Sequence, residues 1–432
     1  MSFQQTIKIN QLLINKLKST SLGNDQIKMI LNCIEGDFIL YHGLYAQAKP
    51  IKFLLHFFKS LFYKKKYSFH NSINKSNTNN IACLVSAENI YKENLMPLID
   101  QLNSKGYKHF EYRLKVNKSL SLKNFRFQRK HIFSIRDLFS KNINLLTFSN
   151  VIKLFYIKYI LINDCLNLID FLEREVSKEH SIFLSVEICD TFSRAMAIVC
   201  KSYKIKYVIL QPGPFHTHET LEVQSVMADE FIAWNSSKNY FLNPINKLFD
   251  ETCKLSFFDP VRFLLSPKSK SIKKYDLVFF LTWLNIEGSK FKLNKELRDT
   301  LKYLANKTDL EVFLKMHPAT FKDQEEEYLR EYKDYKFLNK NLSSIDIINQ
   351  SRMILNFGST VSIDADFLNV KTGIINFIKD IDDDHQFFSL NHIKNVKNLN
   401  DLNDFIDNFN PQSSKINKDR NKDIISYVEG FL

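Results

Sequence analysis

Two short stretches of the 432-residue chain combine residue types suited to holding a phosphate. One is Lys315-Met316-His317-Pro318, at the end of the apolar run Leu310–Lys315. The other is Gly358-Ser359-Thr360, after the run Met353–Phe357. A glycine lets the chain turn sharply, and Ser359 and Thr360 then offer hydroxyls and, at a helix start, backbone N–H groups in need of partners. From a neighbouring strand the imidazole of His317 can donate a hydrogen bond to a phosphate oxygen, and Lys315 adds positive charge. An ordinary N-cap accounts for Ser359-Thr360 taken alone, and a loop histidine held by its neighbours accounts for His317. Their occurrence together in one strand–helix array is what points to a ligand.

A third stretch follows the run Tyr207–Gln211 and reads Gln211-Pro212-Gly213-Pro214-Phe215-His216-Thr217-His218-Glu219. Two histidines and a carboxylate side by side can take the proton from a hydroxyl nucleophile. His216, His218 and Glu219, with Asp190, are therefore the candidate catalytic groups. Gln211, Gly213 and Glu187 would line the same cleft. Asp190 serves equally well as the N-cap of a helix starting at Thr191. The HxHE spacing suits a metal, but no further ligand set accompanies it. Trp283, Asn285 and Gly288, just past Asp276–Leu281, would line the cleft from the second half of the chain. Asp364-Ala365-Asp366 has DxD spacing, yet residues two apart on a helix do not share a face. The acidic run Asp380–His385 reads as a solvated loop.

What positions these residues is an alternation of short apolar runs with helical patterns, the signature of parallel βαβ units. Ile81–Ser86, Phe110–Leu114, Ser181–Val186 and Tyr207–Gln211 read as strands in the first half, with Thr191–Tyr203 as a helix. The basic stretch Lys268–Lys274 reads as a linker. Strands then recur at Asp276–Leu281, Leu310–Lys315, Tyr335–Leu338, Met353–Phe357 and Gly373–Phe377, separated by helices at Lys295–Asn306, Glu325–Tyr332, Ser344–Gln350 and Thr360–Leu368. The expected fold is α/β, two tandem Rossmann-like doubly wound domains facing a cleft. Residues 1–267 form an N-terminal domain with a helical, basic insertion near 51–70. Residues 268–410 form a C-terminal domain, and 411–432 a C-terminal tail or helix. In open α/β sheets ligands sit beyond the carboxyl ends of the strands, which is where all the residues named above fall.

A His-Pro dipeptide after one strand, then a Ser-Thr turn some forty residues on with Asp364 in the following helix, resembles the donor-binding half of GT-B glycosyltransferases. The likeness is to bacterial capsule and lipopolysaccharide enzymes using cytidine nucleotides: Kdo, sialyl- and polysialyltransferases, and CDP-glycerol transferases. It covers roughly residues 276–378, and by this likeness the first domain is the acceptor-side one and the second the donor-binding one. The resemblance implies that His317, Pro318, Ser359 and Thr360 meet the donor phosphate and Asp364 the donor ribose. It also implies a nucleotide-sugar donor, a glycan or lipid-linked glycan acceptor, and donor phosphates held without a metal or other cofactor. Lys371-Thr372-Gly373 replaces the family's usual small residue and proline, and Asp364 its commoner glutamate.

Composition narrows the alternatives. Hydrophobic residues are 44% and charged residues 25%, which excludes a disordered chain. Lys+Arg 60 against Asp+Glu 47 leaves a net charge of +13, which draws the chain toward anionic partners. Nucleic acid is one such partner, but the lysines are dispersed and no nucleic-acid-binding motif is present. Glycerol- or ribitol-phosphate transfer on the same fold is the alternative enzyme reading, alongside use of a UDP-sugar. The segment Ile51–Tyr67 (IKFLLHFFKSLFYKKKY) reads either as an amphipathic helix lying on a membrane surface or as a core helix with a basic end. Six scattered cysteines read as free thiols in a reducing compartment. Val151–Leu172 is interrupted by charges and is not a membrane span. The expectation is a cytoplasmic protein, peripheral at most on the inner face of the membrane.

Overall fold

The computed structural model describes residues 3–20, 28–38, 55, 58, 60, 63–70, 81–85, 88–120, 152–154, 156–188, 190–213, 226–242, 253–263, 272–281, 289–307, 310–317, 320, 322–377, 386–390, 392–409 and 420–432. Two sheets organise them. The first has β1 (Tyr63–Phe69), β2 (Ile81–Val85), β3 (His109–Leu120), β4 (Ile182–Ser185), β5 (Lys206–Leu210), β6 (Glu230–Trp234) and β7 (Lys254–Phe258), in the order β1-β3-β2-β4-β5-β6-β7. All its pairings are parallel except β1 with β3. The second has β8 (Tyr275–Phe280), β9 (Val312–Lys315), β10 (Lys336–Leu338), β11 (Ser351–Asn356), β12 (Lys371–Ile375) and β13 (Ile393–Val396), all parallel, in the order β10-β9-β8-β11-β12-β13.

Alternation within the strands explains why both faces are covered. In the first sheet Ala82, Leu84, Phe183, Tyr207 and Phe231 point into one core, and Ile81, Cys83, Ile182, Val208 and Ile232 into another. Strands buried on both faces must be apolar at every position, which is why they read as continuous runs such as IACLV. The second sheet divides in the same way, Leu277, Phe279 and Leu355 to one side, Val278, Phe280 and Ile354 to the other. The expected architecture of two doubly wound α/β domains is what the structure has.

One feature departs from the expectations. Residues 63–67, read as the end of a helix, lie in β1, the edge strand. Tyr67 and Phe69 alternate onto Phe171, a two-residue period that the neighbouring lysines hide from a helical reading. The C-terminal helix Arg420–Glu429 packs on the first sheet, with Ile424, Ile425 and Val428 in its core and Lys105 paired to Glu429 at 2.7 Å. Its Tyr427 hydroxyl bonds the buried Glu230, which also accepts from Ser256. Among the described residues no helix is long and apolar enough to cross a membrane.

Candidate functional site

The site is built where the carboxyl ends of the two sheets meet. A Cβ placed on Gly213, just past β5, would lie 3.5 Å from the Thr360 hydroxyl, just past β11. Around this point the domains are locked together. Arg262, in the turn Val261–Phe263 after β7, reaches Asp364 in the helix Val361–Phe367 at 2.5 Å. Both side chains are buried, and the guanidinium lies 4.8 Å from the Trp234 ring. Phe263 stacks on Phe367 with ring centroids 3.8 Å apart. Trp234, the last residue of β6, packs with Ile363, Ile374 and Phe387 of the second domain. Asp364, assigned to a donor ribose by resemblance, therefore faces a cation of the other domain. Burial pushes its carboxyl up to about 6, although Arg262 opposes the shift.

The turn after β11 owes its shape to a residue the sequence did not single out. Asn356, fully buried at the end of the strand, accepts through Oδ1 from the N–H of Gly358 (2.8 Å), the N–H of Ser359 (2.9 Å) and the hydroxyl of Ser362 (3.0 Å). Gly358 has φ +81°, a left-handed conformation that glycine adopts without strain. This corrects the expectation of open amides at Ser359, whose N–H is already spent. The hydroxyls of Ser359 and Thr360 carry what the turn can offer a ligand, with Ser359 Oγ accepting only a long 3.5 Å contact from the Val361 N–H. The carboxamide Nδ2 of Asn356 is buried and has no hydrogen-bond partner among the described residues. An orphaned buried donor of this kind costs about 1–3 kcal/mol, which a ligand oxygen would relieve.

His317 follows β9, and β8 lies between β9 and β11. Two inter-strand spacings, about 10 Å, thus separate the imidazole's strand from the Ser-Thr turn. Burial, and then the nearby Lys315 ammonium, hold the imidazole below its ordinary pKa, so it is neutral near pH 7. Lys315 itself is turned inward. Its ammonium donates to the carbonyls of Met316 (3.0 Å) and Lys340 (2.7 Å), and burial lowers its pKa to about 8. Its contact with a phosphate is at most through space.

On the first sheet the polar strand-end residues are also largely spent. Gln211 donates to the Gly213 carbonyl (2.8 Å) and the Ser237 hydroxyl (3.2 Å) and accepts from the Trp234 N–H (2.8 Å). Asp190 caps the helix Thr191–Tyr203 by accepting from the Ser193 N–H. Glu187 gives its carbonyl to the Ser193 hydroxyl at 2.7 Å, and its side chain is half-buried at the sheet edge. His216, His218, Glu219, Trp283, Asn285, Gly288 and Pro318 lie outside the described residues. Among those described, no three His, Cys, Asp or Glu side chains are grouped to hold a metal. Asp364 and Asp366 turn apart, the latter to His392 at 2.9 Å.

No protein-family model and no curated protein matches the chain. Solved structures do. A Methanocaldococcus jannaschii UDP-GlcNAc 2-epimerase in complex with UDP-GlcNAc and UDP is similar with TM-score 0.49 and 14% identity, covering 81% of this chain and 99% of that one. A Listeria monocytogenes putative UDP-N-acetylglucosamine 2-epimerase gives 0.48 and 13%, covering 81% and 95%. Arabidopsis thaliana UGT89C1 complexed with quercetin gives 0.38 and 11%, covering 68% and 78%.

Proposed function

We propose that this chain is a nucleotide-sugar-dependent glycosyltransferase. It moves a sugar, with a CMP-linked acidic sugar as the favoured donor, onto a bacterial surface glycan or its lipid-linked precursor. Such an acceptor brings the enzyme to the inner face of the membrane. The observation that supports this most is the approach of Thr360 to Gly213, which brings the carboxyl ends of two nucleotide-type sheets to one seam. Ligands of open α/β sheets sit at such ends.

In this reading the acceptor hydroxyl gives its proton to a base after β5, His218 or Glu219 being the candidates. Its oxygen bonds to the anomeric carbon while the bond from that carbon to the donor phosphate oxygen breaks. The electron pair leaves with the nucleotide phosphate. The His317 N–H, the Ser359 and Thr360 hydroxyls and the Asn356 carboxamide answer the negative charge that develops there. Lys315 raises the local potential from below without contact.

A thermal-shift panel of CMP, CDP, UDP and UDP-GlcNAc tests the reading. A ligand at one hundred times its Kd adds about 2.7 kcal/mol to stability. CMP is expected to shift the midpoint, and His317→Ala, by weakening binding roughly tenfold, to cut the stabilisation to about half while the variant alone melts as the parent does. A shift with UDP or UDP-GlcNAc alone would reject the cytidine donor and keep the site. No shift with any nucleotide would reject both.

A further inference from the structure

The first sheet carries an arm that glycosyl transfer leaves without a role. β3 pairs with β2 only through residues 109–113, ending with Val85 opposite Arg113. Residues 114–120 pair instead with β1, antiparallel, from Phe69 opposite Leu114 to Tyr63 opposite Leu120. This two-stranded ribbon therefore continues past the carboxyl edge of the sheet, by about 23 Å at 3.3 Å per residue. It projects from the same edge that carries Glu187 and Gly213.

The ribbon is of one sign. Positions 63–70 and 114–120 contain Lys64, Lys65, Lys66, Lys115 and Lys118 and no acidic residue. Lys66, Lys115 and Lys118 are exposed. Lys65 stands directly opposite Lys118, a like-charge cross-strand pair that weakens the ladder. Asp164, on the helix Ile162–Glu175 behind the ribbon, pairs with Lys65 at 3.0 Å. By the two-residue alternation Lys118 shares that face with Lys65, while Lys66 and Lys115 stand exposed on the opposite face. Val116 on the ribbon is 43% exposed, and Leu55 and Phe58, which precede β1 in sequence, are 65% and 54% exposed. Lysines do guard edge strands against pairing with other chains. That role does not require an exposed Val116 between Lys115 and Lys118, whereas a headgroup layer takes lysines and an acyl boundary takes apolar side chains.

We propose that this ribbon, together with the exposed Leu55 and Phe58 that precede it in the chain, docks the protein on an anionic lipid surface. The proposal deepens the glycan-transfer reading by naming what meets the membrane, and it rests on that reading only for the bilayer's being the acceptor's location. Binding can be measured without a donor, so its failure and the failure of the catalytic reading are separate results.

The test is co-sedimentation of the full chain with vesicles of phosphatidylcholine alone or mixed with phosphatidylglycerol. Binding is expected only to the mixed vesicles and to fall as salt rises. A lysine near an anionic surface is worth roughly a fivefold factor in partition. Replacing three, Lys66→Ser with Lys115→Ser and Lys118→Ser, should cost roughly a hundredfold while the melting midpoint holds, since all three are exposed. Leu55→Ser with Phe58→Ser should weaken binding and leave its salt dependence. Equal binding to both vesicle types, or unchanged binding by the triple variant, would overturn the proposal. So would binding to RNA or soluble polyphosphate as tight as to the mixed vesicles, which would make the ribbon a polyanion site.

Discussion

Gln211 and Asn356 occupy matching places, each a buried carboxamide at the carboxyl end of a central strand, one in each sheet. Gln211 uses both ends of its amide, Nε2 on Gly213 and Ser237 and Oε1 on the Trp234 N–H. Asn356 uses only its oxygen, and the amide nitrogen is left over. The first amide closes a loop and is finished. The second shapes a turn and still has a donor to give. The contrast shows that a polar residue at a strand end is assigned to structure or to ligand by where its hydrogen bonds already go.

The largest effects should come from removing the two amides. Asn356→Ala strands two buried N–H groups and a hydroxyl and is expected to cost about 3 kcal/mol in urea unfolding, and Gln211→Ala about 2 kcal/mol. Only the first should also lose the nucleotide-induced thermal shift. Equal loss in both would end the distinction. His317→Ala and Thr360→Val come next. Each should change unfolding free energy by less than about 0.5 kcal/mol, as substitutions outside a packed core do. Calorimetric titration should show nucleotide affinity lowered roughly tenfold and fivefold, as loss of a charge-assisted and a neutral hydrogen bond imply.

The smallest effect is a slope with pH. The Asp364 carboxyl is raised to about 6 by burial, above its unfolded value near 4. Its unfavourable contribution is full above pH 6 and is relieved as pH falls from about 6 toward 4, because the folded state holds the extra proton there. His317 acts oppositely. Its lowered pKa makes the unfolded chain the better proton acceptor, so its contribution falls as pH drops below about 6.5. Comparing stability from pH 7 to 4 in the parent and in Asp364→Asn should show the acid-side gain vanish with the carboxylate.

Sequence legibility follows the same division between local and distant causes. Most strands buried on both faces are readable from apolar runs: the expected Asp276–Leu281 falls where Tyr275–Phe280 is found, and the helix Thr191–Tyr203 has the bounds its sequence implies. β1, β6, β7 and β13 are not legible as strands in this way. β6 opens on Glu230, tolerable there only because Ser256, Lys206 and Tyr427 from distant segments surround it. β13, Ile393–Val396, has four residues with two polar ones between apolar ends, too short for a period to show. The glycine and hydroxyls of the turn after β11 were legible because turn chemistry is local. Asn356 was not singled out, although it lies two residues before Gly358, where its oxygen can reach the turn's amides. The pairing of Arg262 with Asp364 has no signal in either segment alone.

The most direct test is the pH titration of the His317 imidazole by NMR, with and without saturating CMP. In the free protein it should titrate below an ordinary histidine, held down by burial and Lys315. A phosphate beside the ring should raise that pKa by about one unit or more, since an opposite charge within a few ångströms favours the protonated form. A titration curve that the nucleotide leaves unmoved would contradict the assignment of this edge to a donor phosphate.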